Sequence, residues 1–259
     1  MKILIIGDIV GRPGRNILKE HLQELISEYN IDIVIANGEN AAGGNGLTRK
    51  VADELFEMGI SALTMGNHVW DQKEILKFID EEMRIVRPAN YLEETPGRGS
   101  IALNFKNTKI GIINLQGTTF MPCNRNPFFV ALEEIEKLKK ETNIILVDFH
   151  AEATSEKIAM GYFLDGKVSC VFGTHTHVQT ADEKILQNGT AYITDVGMTG
   201  PSDSILGIDK ELIIKKFTSS VPVRFEVAKG PAQINAIVIS VNEITGKCYS
   251  IERINKIYA

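Results

Sequence analysis

Residues 167–177 read KVSCVFGTHTH, a short apolar run followed by His175 and His177, two of the five histidines in the chain. Runs rich in β-branched residues and bounded by glycine predict buried strands. Similar runs occupy residues 2–8, 31–37, 60–66, 109–115, 143–150 and 190–196. Apolar residues three or four positions apart predict helices over residues 17–26, 51–58 and 132–138. This alternation of strands and helices predicts an α/β fold whose sheets are covered on both faces.

The C-terminal part has a different pattern. Residues 221–254 read as strands joined by turns, and NEITGK at residues 242–247 is typical of a hairpin connection. We expect these antiparallel C-terminal strands to complete the second sheet of an α/β sandwich. The sequence has no internal repeat, low-complexity tract or linker. We therefore expect a single domain over residues 1–259.

Composition excludes several classes of protein. No apolar stretch reaches the roughly 18 residues needed to span a bilayer, and Asp8 interrupts the first apolar run, which therefore does not resemble a signal peptide. Cys123, Cys170 and Cys248 lack C-x-x-C spacing, which argues against a disulfide framework or a thiolate metal site. A net charge of -5 without a basic stripe disfavours long nucleic acids, although not a small nucleotide. We expect a cytoplasmic protein without membrane contact.

Metal-binding residue types follow the strand runs. These residues are Asp8, Glu39, Asn40, Asn67, His68, His150, His175 and His177. In open α/β sheets, ligands bind at the carboxyl ends of the strands. Imidazole nitrogens with carboxylate and amide oxygens suit Fe, Mn, Zn or Ni. Seven such side chains besides His68 are too many for one tetrahedral ion, but they fill two centres when one carboxylate bridges.

A pair of cations predicts a class of reaction. Two ions roughly 3.5 to 4 Å apart are a recurring device for hydrolysing phosphate esters, because they activate a bridging hydroxide and hold the phosphoryl oxygens. Two divalent ions against Asp8 and Glu39 leave the site cationic, which favours an anionic substrate. His68 stands beside Asn67 and suits one of two roles. It is either a general acid, since a departing alkoxide leaves poorly unless it is protonated, or a hydrogen-bond donor to the substrate phosphate.

Several motifs carry a family resemblance. They are GDIVGRPGR (7–15), NGENAAGG (37–44), GNHVWD (66–71), FHAEATSEK (149–157), GTHTHVQTADE (173–183) and DVGMTGP (195–201). The series resembles the calcineurin-like metallophosphoesterases, and within them the YmdB-like branch. The D-x-H opening of the wider superfamily is absent, since Val10 stands two residues after Asp8. The bridging acid of the superfamily is also replaced.

The resemblance implies a metallophosphoesterase-type sandwich, with two sheets flanked by helices, and two divalent transition-metal ions per chain. It assigns Asp8, Glu39, Asn40 and His177 to one ion. It assigns Glu39, Asn67, His150 and His175 to the other. Neighbours at i and i+2 in an extended segment point the same way, so we expect His175 and His177 to reach two adjacent ions.

The family also suggests the ligands. It implies iron or manganese, with zinc as the alternative, and a small phosphodiester substrate, in particular 2',3'-cyclic nucleotide monophosphates. A homo-oligomer is implied by the resemblance alone. Two other functions stay open, namely a metal-dependent amide or ester hydrolase, and a regulatory domain that binds protein or RNA and whose hydrolysis is vestigial.

Some residues carry two interpretations. GDIVGRPGR is a candidate phosphate loop, but it lacks the G-K-[ST] and G-x-G-x-x-G patterns. Asp148 and Glu152 are candidate partners for the ligand imidazoles, and we expect His21 to be structural. The loop 114–128 either binds substrate through residues such as Thr118, Thr119, Asn124 and Arg125, or packs Phe120, Met121 and Phe128 as a surface loop.

Overall fold

Two β-sheets pack face to face in the computed structural model, which describes residues 1–122 and 125–258. The first sheet contains eight strands. They are β1 (Lys2–Ile6), β2 (Asp8–Ile9), β3 (Ile33–Asn37), β4 (Ala62–Thr64), β5 (Ile85–Val86), β12 (Met198–Pro201), β13 (Ala232–Val241) and β14 (Cys248–Tyr258). The order is β2-β12-β13-β1-β3-β4-β5, with β14 paired to β13.

The second sheet contains six strands. They are β6 (Ser100–Phe105), β7 (Thr108–Gln116), β8 (Ile144–His150), β9 (Cys170–Thr174), β10 (Lys184–Ile185) and β11 (Ala191–Ile193). The order is β10-β11-β9-β8-β7-β6, and the two edge strands are antiparallel to their neighbours.

The described residues form five α-helices, of which the first four pack on the outer faces of the sheets. They are α1 (Gly11–Tyr29), α2 (Arg49–Glu57), α3 (Pro127–Leu138), α4 (Thr154–Phe163) and α5 (Lys210–Thr218), with a 3₁₀ helix at Lys73–Lys77. The α1 helix ends where Asn30 takes a left-handed conformation with φ 53°. The α3 helix begins at Pro127 because the Asn126 side chain accepts a hydrogen bond from the Phe128 N–H. In the part of the chain described here, no helix combines the length and apolarity needed to cross a membrane.

Alternation along the strands produces the layers. In β1, Ile3 and Ile5 pack in a cluster with Leu146 of the second sheet, whereas Leu4 packs with Leu22 of α1. A third cluster joins α3 and α4 to the other face of the second sheet. Both faces of the central strands are therefore buried, which explains why their sequences are apolar throughout. The predicted α/β sandwich and the three predicted helices are confirmed.

The C-terminal prediction was partly wrong. The hairpin at residues 242–247 is present, because β13 and β14 pair on either side of it. However, β13 pairs with β1, so these strands join the first sheet and not the second. Residues 221–231 also form no named strand, and Val227 makes only an isolated bridge with Ile208. Pro222 and Pro231 lack an N–H for a ladder, and most of this segment is exposed.

Candidate metal centre

Five segments from the two sheets deliver the predicted ligands to one place. Asp8 follows β1, Glu39 and Asn40 follow β3, and Asn67 follows β4, all in the first sheet. The second sheet contributes His150 at the end of β8, together with His175 and His177 just after β9. The candidate ligands were predicted at the carboxyl ends of strands, and these ends belong to two sheets. The carboxyl ends of β1, β3 and β4 meet those of β8 and β9.

One group of side chains gathers around His150. Its Nε2 lies 3.1 Å from Glu39 Oε1, 3.0 Å from Asn67 Oδ1 and 3.1 Å from His175 Nδ1. Ligand atoms of Glu39, His150 and His175 all lie within 4.8 Å of one another. This group has the same membership as one of the two ligand sets implied by the family resemblance.

A second group lies beside the first and shares Glu39 with it. The Asn40 Nδ2 is 3.2 Å from His177 Nε2 and 3.3 Å from Glu39 Oε1. The His177 Nε2 is 3.7 Å from Asp8 Oδ1. Glu39 is thus in contact with both groups, and its other oxygen accepts the His68 backbone N–H at 3.0 Å. The arrangement suits a carboxylate that bridges two cations.

Each of the three candidate ligand histidines has one ring nitrogen that points to the centre (the inner nitrogen) and one that points away from it (the outer nitrogen). The outer nitrogen of each contacts a group that can accept a hydrogen bond. His150 Nδ1 contacts Thr174 Oγ1 at 2.8 Å, and that hydroxyl donates to Asp148 Oδ1 at 2.7 Å. His177 Nδ1 contacts the Leu206 carbonyl at 3.0 Å, and His175 Nε2 contacts Glu152 Oε2 at 3.0 Å. When the outer nitrogens donate, the inner nitrogens face the centre with lone pairs, the form that binds metal.

The centre accordingly consists of acceptors that face one another. With the inner nitrogens unprotonated, lone pairs of His150, His175 and Glu39 converge. Such an arrangement is favourable only around a positive charge, which is either a bound cation or a proton on His150. Asp8 is fully buried, and its Oδ1 is among the buried side-chain atoms of the described residues that lack a hydrogen-bond partner. An unpaired buried carboxylate oxygen is costly unless a cation binds it. These residues therefore fit a metal site.

A glycine leaves room at the centre. A Cβ on Gly66 would collide with His150 Nε2 and with the Glu39 carboxylate. Only glycine avoids this collision, since every other residue would place a carbon between the two ligand atoms.

The pKa values show how strongly the centre favours positive charge. Burial by itself would lower the pKa of His150, but the charge and hydrogen bond of Glu39 raise it to about 9. Burial would likewise raise the pKa of Glu39, and His150 lowers it to about 2. Burial and the charge of His150 lower the pKa of His175 to about 3. Without a cation, the centre therefore takes one proton on His150.

The two neighbouring histidines do not lie in an extended segment. His175 has φ 98° and His177 has φ 65°, both in the left-handed region, so the expected i, i+2 geometry of a strand was wrong. A left-handed conformation is uncommon for residues other than glycine and costs energy. The segment His175–Thr176–His177, hereafter the histidine turn, directs one imidazole to each group through this strained backbone.

His68 lies outside both groups. Its Nδ1 contacts Asp71 Oδ2 at 2.7 Å, and 34% of its side chain is exposed. The aspartate had no assigned role in the sequence, although it stands three residues after His68 in GNHVWD. A carboxylate on Nδ1 orients the ring and leaves Nε2 free for a substrate.

Of the other candidate residues, Glu152 and Asp148 lie beside the site, and His21 lies away from it. Glu152 contacts His175 directly, whereas Asp148 reaches His150 only through Thr174. His21 stacks on Tyr258 with ring centroids 3.9 Å apart, within the scaffold.

The loop 114–128 follows neither interpretation fully. Phe120 is 90% exposed and Met121 is buried, so packing explains only part of the loop. Arg125 forms an ion pair with Glu133 at 2.7 Å. Cys123 and Asn124, the second of which was a candidate substrate contact, lie outside the described residues.

Several residues that contact the site residues or the segments around them were missed by the sequence prediction. They are Gly66, Asp71, Lys157, Thr174, Thr176 and Asp195. All but Asp71 make these contacts with segments far away in the chain. The one signal for them was their position inside the quoted motifs.

Known proteins resemble the whole chain. Over 98% of its length the chain is 53% identical to a Bacillus subtilis protein named 2',3'-cyclic-nucleotide 2'-phosphodiesterase, of which the match covers 96%. It is also 42% identical to a Mycoplasma pneumoniae protein named putative phosphatase/phosphodiesterase. That match covers 98% of this chain and 92% of the Mycoplasma protein.

Solved structures agree with these relatives. A hypothetical protein from Thermus thermophilus matches at TM-score 0.93 and 38% identity, with 100% of both chains covered. A putative 5'-nucleotidase from Staphylococcus aureus matches at TM-score 0.59, and the match covers 97% of this chain and 53% of the nucleotidase chain. Because the two sequences are only 15% identical, this match shows a shared fold alone. A model of the YmdB-like protein family matches residues 4–254. As the motifs predicted, the chain belongs to the YmdB-like family.

Proposed function

We propose that the protein is a dinuclear metal phosphodiesterase that hydrolyses small cyclic nucleotides, in particular 2',3'-cyclic nucleotide monophosphates. The name of the Bacillus subtilis relative, at 53% identity, supports the substrate class. The observation that carries the proposal is the pair of ligand groups that share Glu39. We propose that the whole chain forms a single catalytic domain, and that it assembles as a homo-oligomer in the cytoplasm.

The residues of the two groups would hold two divalent ions. Asp8, Asn40 and His177 would hold one, Asn67, His150 and His175 the other, and Glu39 both. When bound, the ions supply positive charge for the phosphoryl oxygens and an activated water. Nitrogen and oxygen ligands without thiolate suit iron or manganese, and zinc is the alternative.

The remaining chemistry belongs to side chains. His68 stands next to Asn67 in the chain, and its ring is accessible. We assign it the role of general acid, which donates a proton from Nε2 to the departing sugar oxygen. Asp71 accepts a hydrogen bond from Nδ1 and orients the ring, which leaves Nε2 free.

Hydrolysis assays with the metal-loaded protein test this proposal. Manganese-loaded protein should convert a 2',3'-cyclic nucleotide to a monophosphate, and a chelator should abolish the activity. Amide and carboxylic ester substrates, assayed in parallel, test the alternative hydrolase. Turnover of amides or esters without turnover of any phosphodiester would contradict the proposal.

The leaving group separates two roles for His68. With a cyclic nucleotide, His68→Ala should lower kcat by about 10² to 10⁴-fold, the usual contribution of a general acid, and should retain its metal. With a p-nitrophenyl phosphodiester the loss should be much smaller, because that leaving group barely needs a proton. Equal losses on both substrates would instead favour a role in binding the phosphate.

A further inference from the structure

A buried ion pair lies directly behind the histidine turn. Lys157 Nζ is 2.6 Å from Asp195 Oδ2, and the two side chains are 1% and 0% exposed. Lys157 comes from α4 and Asp195 follows β11. Removing two charges from water is expensive, and apolar residues of similar volume are often as stable as a buried pair. Such a pair is therefore better explained by what it positions than by what it adds to stability.

The aspartate of this pair holds the residue between the two histidines. Its Oδ2 accepts the Thr176 N–H at 3.1 Å and the Thr176 hydroxyl at 2.7 Å. Its Oδ1 accepts the Gly197 N–H at 2.8 Å. One carboxylate thus fixes both the backbone and the side chain of Thr176, while its own position is fixed by Lys157 and Gly197.

The position of Thr176 explains why this matters. His175 and His177 flank it on either side, and both have left-handed φ values. A strained backbone persists only where its surroundings hold it in place. If Thr176 were released, the turn would relax toward ordinary φ values, and both imidazoles would turn away from the two ligand groups.

We propose that Lys157, Asp195 and Thr176 are positioning residues for the metal centre, which hold the histidine turn in its strained conformation so that the two imidazoles face separate cations. This inference rests on the proposed function, since it assumes that the two groups bind metal. None of the three residues is assigned as a ligand, and each acts through the turn.

Thr176 offers the mildest test of this assignment. Thr176→Val removes the hydroxyl and leaves the backbone N–H, and Thr176→Ser keeps the hydroxyl. Thr142→Val is the matched control, because Thr142 is buried and its hydroxyl donates to the Lys109 carbonyl at 2.6 Å, at the start of β8 and not at the turn. Each chelator-treated variant is titrated with Mn²⁺ by calorimetry, and its thermal unfolding is measured without metal.

Thr176→Val should bind Mn²⁺ about 10 to 100-fold more weakly than the parent, the usual loss when a group that orients a ligand is removed. Thr176→Ser should bind like the parent. Thr142→Val should also lose thermal stability, because it loses buried hydrogen bonds to Lys109 and Ile144, and it should keep parental affinity. Asp195→Asn, which keeps the shape of the side chain, should weaken Mn²⁺ binding in the same direction as Thr176→Val.

Two results would overturn the inference. One is parental Mn²⁺ affinity in Thr176→Val and Asp195→Asn, and the other is an equal loss of affinity in Thr142→Val. A parent protein that binds no Mn²⁺ would contradict the proposed function itself, and the inference with it, so the two failures are distinguishable.

Discussion

Replacing Asp148 with asparagine should stabilise the metal-free protein and weaken its cation binding. Asp148 is fully buried behind His150. It accepts hydrogen bonds from the Thr174 hydroxyl at 2.7 Å and the Asn37 amide at 3.2 Å, and from the Thr64 hydroxyl. Despite these donors, burial raises its pKa from 3.8 to about 6. A shift of this size corresponds to about 3 kcal/mol of destabilisation when the carboxyl is ionised.

The sign of the pH dependence follows from the raised pKa. Between pH 4 and pH 6 the folded state keeps a proton on Asp148 that the unfolded state has lost. The free energy of unfolding therefore falls as pH rises through this window, by up to about 3 kcal/mol, and stays low above it. Asp148→Asn cannot ionise, so this part of the pH dependence should disappear.

The amide fits the site with two rearrangements. Its oxygen can accept from the Thr174 hydroxyl, which keeps the link to His150 Nδ1. Its NH₂ then replaces the oxygen that accepts from Thr64 and Asn37. The Thr64 hydroxyl can donate instead to the Ala36 carbonyl at 3.5 Å, and the Asn37 NH₂ keeps the Met65 carbonyl at 3.4 Å. The negative charge behind His150 is lost, however, and that charge makes the imidazole a better ligand. Cation affinity should fall by about 10-fold or more.

Denaturant unfolding of chelator-treated parent and variant, at pH 4.5 and pH 7.5, measures the stability. Titration with Mn²⁺ measures the affinity. The variant should be the more stable protein at pH 7.5 by about 1 to 3 kcal/mol, and it should bind Mn²⁺ more weakly. An unchanged pH dependence, or unchanged Mn²⁺ affinity, would refute the reasoning.

Three further substitutions test separate parts of the site. Gly66→Ala should reduce Mn²⁺ affinity by about 100-fold or more, measured by calorimetry, because the new methyl group meets the His150 and Glu39 ligand atoms; parental affinity would contradict this. Asp71→Asn should lower kcat on a cyclic nucleotide and spare a p-nitrophenyl phosphodiester, in parallel with His68→Ala; equal losses on the two substrates would contradict an orienting role. Glu152→Gln should weaken Mn²⁺ binding by about 10-fold or less, because Glu152 is half exposed beside His175; a complete loss of binding would make Glu152 itself a ligand.

Strand runs and residue types made much of the fold and the ligand chemistry predictable. The runs at residues 2–8, 31–37, 60–66 and 143–150 end at a candidate ligand or within two residues of one, so these strand ends and their candidate ligands were visible in the sequence. The partner of each strand was not visible, because β13 reaches β1 across more than 200 residues of chain. The C-terminal strands were assigned to the wrong sheet for that reason.

The supporting residues were harder to predict for a related reason. Lys157 and Asp195 are 38 residues apart, and both read as ordinary charged positions until the fold pairs them. The left-handed conformations of His175 and His177 likewise depend on contacts from other segments, and nothing in the letters HTH distinguishes a strained turn from an extended one.

The number of metal ions per chain tests the central claim most directly. Elemental analysis of the purified protein should find about two transition-metal ions per chain. Glu39→Gln should hold clearly fewer, because Glu39 contacts both ligand groups. Glu82→Gln, a buried carboxylate paired with Arg84 outside the site, should keep both ions. One tightly held ion per parent chain, or two ions retained in Glu39→Gln, would contradict the account.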